Sequence, residues 1–224
     1  QYFIYGRNGE YMKKTSLKLL LFSFVMSFLM IIPTNVNAEE IIPVNISVKY
    51  GQTEARRILD MINELRTSPT DAWAYDYDLE RLAMKRAAEI ALSYEHTRPN
   101  GQNPFTIYTE ENITRLDTGE NIAVASPNVY SKAEAVNDGW REDNEPYAGQ
   151  GHRRNMLGYK FTCVGVGHVT YNGYDYWVEE FASRPSINTT ETPANDNEQT
   201  VTVSVTKSWI TNYKTYFDQD SYVL

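Results

Sequence analysis

One cysteine, Cys163, stands in a chain of 224 residues, so no intramolecular disulfide forms and the fold must rest on a packed core. Histidine is nearly as scarce. His96, His152 and His168 are the full set, which confines imidazole chemistry to three positions. Basic residues number 21 against 29 acidic, a net charge of −8 with no basic stripe, and nucleic acid is excluded as a partner on that ground. There is no internal repeat, no H-E-x-x-H helix and no G-x-S-x-G elbow, so the usual signatures of zinc proteases and serine hydrolases are missing. What is present is 42% hydrophobic and 13% aromatic residues, enough to bury one good-sized domain with extensions.

The longest apolar run lies near the N-terminus. Met12, Lys13 and Lys14 supply a charged start, Leu17 to Ile32 an apolar stretch broken only by Lys18, Ser23 and Ser27, and Val36-Asn37-Ala38 a small-residue cleavage site. Residues 12–38 read as a signal peptide, with 1–11 as an upstream extension that is not native. The run approaches the lower limit for a membrane anchor, but Pro33 and the cleavage site favour export, so membrane contact is expected only through the uncleaved signal. Without residues 1–38 the chain loses four basic residues and one acidic, and its net charge becomes −11. Asn45, Asn112 and Asn188 lie in glycosylation-type triplets that matter only in a eukaryotic secretory pathway.

Residues 39–52 read as a polar, partly extended lead. Thr53 is the expected cap of a helix carrying Ile58, Met61, Ile62 and Leu65 on one face, limited by Pro69. A second helix is expected from Asp78 as N-cap, with Leu79, Leu82, Ala83, Ala87, Ile90, Ala91 and Tyr94 as its apolar stripe. Its charged face, Glu80, Arg81, Lys85, Arg86 and Glu89, is expected to be solvated. Residues 102–117 read as irregular. Ser131 and Glu134 form a capping-box signature for a third helix whose inner side is Ala133, Val136 and Trp140. A polar loop then feeds Gly149–Leu157, GQGHRRNML, a short helical turn stopped by Gly158. Phe161 to Val169 predicts a strand with Gly165 and Gly167 open to a close neighbour and Cys163 buried; Asn172-Gly173 turns it into Tyr174–Phe181. His168 is expected at a surface or edge. Residues 186–200 have linker composition, and 201–224 are β-prone, either a truncated second module or a strand that docks back.

The ordered motifs HTRPNG (His96–Gly101), GENIA (Gly119–Ala123), a helix with Trp140, GHRRNML and a glycine-bearing hairpin resemble the CAP superfamily, also called SCP-like, in its bacterial branch. The resemblance spans about Thr53 to Phe181, within a domain taken as 53–185. It implies an α+β fold, a three-layer α-β-α sandwich with a central antiparallel sheet, and a cavity lined by two histidines and two acids. Carried over, these are His96, Glu120, His152 and Asp143, the last placed three residues after Trp140, with Glu142 or Glu145 as alternatives. His96 and His152 are then the candidate ligands of a divalent metal such as Zn²⁺. Asn121, Arg153 and Asn155, with Arg98, are expected to bond the loops framing the cavity, and Trp140 and Trp177 to lie in the core.

Three functions follow from the resemblance and the residues. The first is a secreted or cell-surface binding module for a metal ion, a small ligand or lipid, or a protein partner. The second is a metal-assisted extracellular hydrolase with Glu120 as general base. The third is a spacer in a larger surface protein. Enzymatic and binding roles both stay open from the sequence.

Overall fold

Two glycines fix how the layers meet. The computed structural model describes residues 39–66, 72–126 and 129–213, and its longest helix, α3 (Tyr77–Leu92), lies directly against strand β4 (Cys163–Tyr171). A Cβ built on Gly165 would stand 2.2 Å from the backbone of Leu79 and Glu80. One on Gly167 would stand 2.2 Å from Ala83 O. No other residue type lets this helix backbone come so close.

The sheet runs β3 (Thr118–Ala125), β5 (Tyr174–Ala182), β4, β1 (Ile41–Tyr50), β6 (Glu198–Thr206), with the two-residue β2 (Ala74–Tyr75) parallel to β4 at its start. All other pairings are antiparallel. β4 and β5 form the hairpin expected from Asn172-Gly173, both of which take positive φ, 50° and 80°. One face packs on α3 through Val169, Val178 and Ile122. The opposite face, Val164, Val166, Trp177 and Phe181, packs on α1 (Gln52–Arg56), α2 (Ile58–Leu65), α5 (Ala133–Arg141) and α6 (Gly151–Met156) through Ala55, Ile58, Ile62, Val136, Trp140 and Met156. The result is a three-layer α-β-α sandwich. Trp140 and Trp177 are buried, as expected, and so is Cys163, whose thiol is pushed up to about 12 by burial.

Local details depart from the sequence reading. The first helix breaks at Arg57 into α1 and α2, and Thr53 does not cap it: its backbone N–H and hydroxyl both donate to Asp196. The N-cap of α3 is Asp76, which accepts from the N–H groups of Asp78 and Leu79, while Asp78 pairs with Arg184. Residues 102–117, read as irregular, contain the short helix α4 (Thr106–Glu110). The capping box does not form, because the carboxylate of Glu54 reaches across to accept from Ala133 N–H instead. His168 is not at the surface: it is 5% exposed, stacked 3.8 Å from Trp177 and bonded to Asp175. The supposedly solvated face of α3 is largely buried at Glu80, Arg86 and Glu89.

The lead residues 41–50 are strand β1, paired with β6 over nine positions, and Val44, Ile46 and Val48 join the α3 core. The polar run before β6 is strapped to the domain by Asn188 on Asp78, Thr192 O on Arg56 and Asn195 on Gln52. Helix α7 (Lys207–Tyr213) follows. The signal peptide, the upstream extension, Pro69 and residues 214–224 lie outside the described residues.

Candidate functional site

β3 lies at one edge of the sheet, and its alternation sends Glu120 and Asn121 to opposite faces. On the α3 face, Glu120 receives the Arg86 guanidinium, Nε at 2.7 Å and Nη2 at 3.2 Å, and accepts from His96 Nδ1 at 2.7 Å. Arg86 also donates to Glu89 (2.8 Å) and to the carbonyls of Glu95 and His96, which ties the HTRPNG loop to the helix it leaves. Arg98 closes the other side of Glu89 (2.6 Å) and reaches Glu110 (2.8 Å) and Thr106 (3.0 Å). Arg86, Glu89 and Arg98 have fully buried side chains, whereas that of His96 is 58% exposed. Thus a solvent-facing imidazole is held by a carboxylate whose other partners are in the core.

The carboxyls here are driven in opposite directions. Burial works to raise Glu120, but the His96 hydrogen bond and the Arg86 charge outweigh it and hold the group below its ordinary value. Its cross-strand neighbour Glu180 is fully buried, and burial with the nearby Glu120 charge pushes it well above the usual carboxylate range, against Arg86 and a 3.0 Å bond from Tyr108 OH. The pair thus favours the charged form of Glu120 and the neutral form of Glu180.

On the opposite face, Asn121 Nδ2 donates to Glu179 (2.7 Å) and to His152 O (3.2 Å), while Asn155 Nδ2 donates to Asn121 Oδ1 (2.8 Å) and Glu120 O (3.4 Å). These amides fasten α6 to strand β3. Glu179 is fully buried, and burial pushes it up to about 8 in spite of the Asn121 bond. His152 itself is held by Glu142. Its Nδ1 lies 2.5 Å from Glu142 Oε1, and its backbone N–H donates to Oε2 at 3.0 Å. Glu142 reaches this position because it terminates α5 in the left-handed region, φ 49°.

The acid on His152 is therefore Glu142 and not Asp143, the first choice from the motif. Asp143 faces the other way, between Arg153 and Arg141. Arg153 also donates to Arg141 O. Glu145 accepts from Gln150 through its backbone carbonyl and lies against Gly149. The structure joins His96 to Glu120 and His152 to Glu142, and links the two pairs through Asn121 and Asn155. Among the described residues no group of three or more His, Cys, Asp or Glu side chains is placed to hold a metal ion.

Arg86, Glu89, Glu179, Glu180 and Tyr108 were not anticipated as parts of the site. A signal for Arg86 was present: it falls at helical spacing from Leu79, Leu82, Ala83 and Ile90, so it shares a side with the apolar stripe. Nothing comparable marked Glu179 and Glu180, since adjacent acids on a strand ordinarily include one that is solvated.

The model of the Cysteine-rich secretory protein family, CAP, matches residues 59–181. Similar solved structures include an extracellular protein containing an SCP domain from Bacillus anthracis str. Ames, 22% identical with TM-score 0.49, covering 59% of this chain and 41% of that one. An outer surface protein of Borrelia burgdorferi is 19% identical with TM-score 0.44, covering 58% of this chain and 88% of its own. A cysteine-rich secretory protein of Staphylococcus aureus subsp. aureus Mu50 is 16% identical with TM-score 0.45, covering 59% of this chain and 39% of its own. This chain thus spans about two fifths of the length of the Bacillus and Staphylococcus proteins. No curated protein matches the sequence.

Proposed function

The chain belongs to the CAP family, and from that premise we propose that it is an exported binding module whose ligand, a metal ion or a small molecule, is taken by the imidazoles of His96 and His152. The observation that carries this reading is the shared arrangement of the two rings. Each has Nδ1 engaged by a carboxylate, which leaves Nε2 of each without a hydrogen bond to a described residue. A carboxylate on one ring nitrogen fixes the orientation of the ring and raises the basicity of the other nitrogen, the arrangement seen behind metal-ligating histidines. The protein's donor set is two imidazoles, so water or the ligand itself would complete the coordination of an ion such as Zn²⁺, which would act there as a Lewis acid or a bridge to the ligand. Export is supported by the charged, apolar and small-residue pattern of residues 12–38.

The hydrolase reading is weaker on chemical grounds. A general base works best with a pKa near the working pH, and Glu120, held low by His96 and Arg86, is a poor proton acceptor. Cys163 is buried with its thiol raised, so it is no nucleophile. Calorimetric titration of Zn²⁺ into chelator-stripped protein, beside the His96→Ala, His152→Ala double variant, tests the proposal. Binding that is lost in the double variant is expected. Binding of equal strength in both proteins, or in neither, would remove the imidazoles as the site and leave surface partners as the role.

A further inference from the structure

Glu179 and Glu180 are neighbours on β5 with opposite surroundings. Glu180 faces the Arg86 network, with Glu120 and Tyr108 beside it. By alternation Glu179 shares the face of Trp177 and Phe181, where α1 and α2 bring Ala55, Ile58 and Ile62 and α5 brings Val136 and Trp140. The ionisable groups on that side are engaged elsewhere: Tyr75 donates to Glu80, His168 bonds Asp175, and the His152 ring bonds Glu142. Burial of Glu179 is thus opposed by one hydrogen bond alone, from Asn121 Nδ2 to Oε2, and Oε1 has no partner among the described residues. A carboxylate with a single donor in apolar surroundings is costly, so the carboxyl stays neutral until water reaches it. The Asn121 side chain also has a second end. The same Nδ2 donates to His152 O, and Oδ1 accepts from Asn155 Nδ2, so one amide joins Glu179 to α6 at two points. With six residues α6 is too short to persist on backbone bonds alone, and its His152 side chain is 38% exposed. Lifting α6 is therefore a route by which water reaches Glu179. A glutamine would accept from Asn121 as well; what a glutamic acid adds is a proton that can leave.

We infer that Glu179 makes the seating of α6 on β3 proton-dependent: the neutral carboxyl keeps α6, and with it His152, in place, and its ionisation favours the lifted helix. The consequence for ligand binding rests on the imidazole reading above, whereas the clamp itself does not. With α6 seated, Glu179 holds its proton up to about pH 8; with α6 lifted and water admitted, it returns towards the ordinary carboxylate value near 4.3. Between these values lifting releases a proton, so its equilibrium constant rises about tenfold per pH unit, and it levels off above about pH 8. The seating is firmest in acid. This runs opposite to the usual gain in metal affinity as histidines lose their protons, so the two effects confine tight binding at the imidazoles to a window below about pH 8.

Hydrogen exchange followed by NMR from about pH 5.5 to about pH 9 tests the clamp, read at the Asn121 side-chain amide and at Leu157 N–H, which donates to Arg153 O. After correction for intrinsic exchange, protection of both is expected to fall about tenfold per pH unit up to about pH 8 and then to level. In Glu179→Gln, which keeps the acceptor and has no proton to lose, protection should stay flat over the same range. Protection that does not vary with pH in the parent would overturn the clamp without recourse to any variant, and so would an equal decline in Glu179→Gln. Titration of Zn²⁺ bears on the imidazoles alone: its failure would remove the ligand and leave the exchange result standing.

Discussion

The two histidine–carboxylate pairs have the same chemistry and different foundations. His96 rests on Glu120, which is itself fixed by Arg86 within a buried network shared with Glu89, Arg98 and Glu180. His152 rests on Glu142, a residue at the end of α5 whose carboxylate accepts the first N–H groups of α6. The first pair is anchored in the core and the second in the junction of two short helices. One imidazole is thus held from the core and the other from a helix junction at one edge of the sheet, with Asn121 and Asn155 linking the two pairs.

That contrast is broken most directly at Arg86. Arg86→Met leaves Glu89 and Glu120 buried without their shared cation, and a loss of about 3–5 kcal/mol is expected from urea unfolding midpoints. A loss as small as that of a surface pair would show that the two foundations are alike.

Behind the second pair, the pH response should run opposite to the first. Glu120 has a lowered folded-state pKa, so its stabilisation is present above the unfolded value and lost as pH falls through the lowered one. Glu179 is raised to about 8, so its contribution is full below the unfolded value near 4.3 and is lost as pH rises towards 8. Glu179→Gln should therefore remove a slope of about 1.4 kcal/mol per pH unit between about pH 5 and 8 from the stability profile. Profiles that superimpose would mean that Glu179 is ionised in the fold.

Smaller effects sharpen the comparison. Glu142→Gln should cost about 1 kcal/mol, because the pair it forms with His152 is partly exposed, and should shift the ¹⁵N resonance of His152 Nδ1 more than that of His96. His96→Ala should change stability by less than about 0.5 kcal/mol in the same unfolding assay, its side chain being 58% exposed while Arg86 continues to hold Glu120. A large loss there would place His96, and not Arg86, as the support of its pair.

Much of the architecture could be read from local pattern. The stripe of α3, the glycines of β4 and the Asn-Gly turn each carry a constraint that is short in sequence, and each reappears in the fold. The motifs His96, Glu120 and His152 were likewise legible. Asp143 was misplaced because the choice among three neighbouring acids depends on the backbone turning left-handed at Glu142, and no periodicity encodes that. The face of α3 was read as solvated because charge ordinarily seeks water. It is buried here because Arg86 and Arg98 meet carboxylates from the helix itself, from β3 and from α4.

By itself the sequence determined which segments alternate or repeat with helical spacing, which residues can approach closely, and which family the chain belongs to. These are properties of neighbours along the chain. Only the tertiary structure decided which charges are neutralised, which carboxyls are kept neutral and which acid holds His152. Such outcomes depend on groups dozens of residues apart, Arg86 with Glu120 and Asn121 with Glu179, and on how far each pair is removed from water.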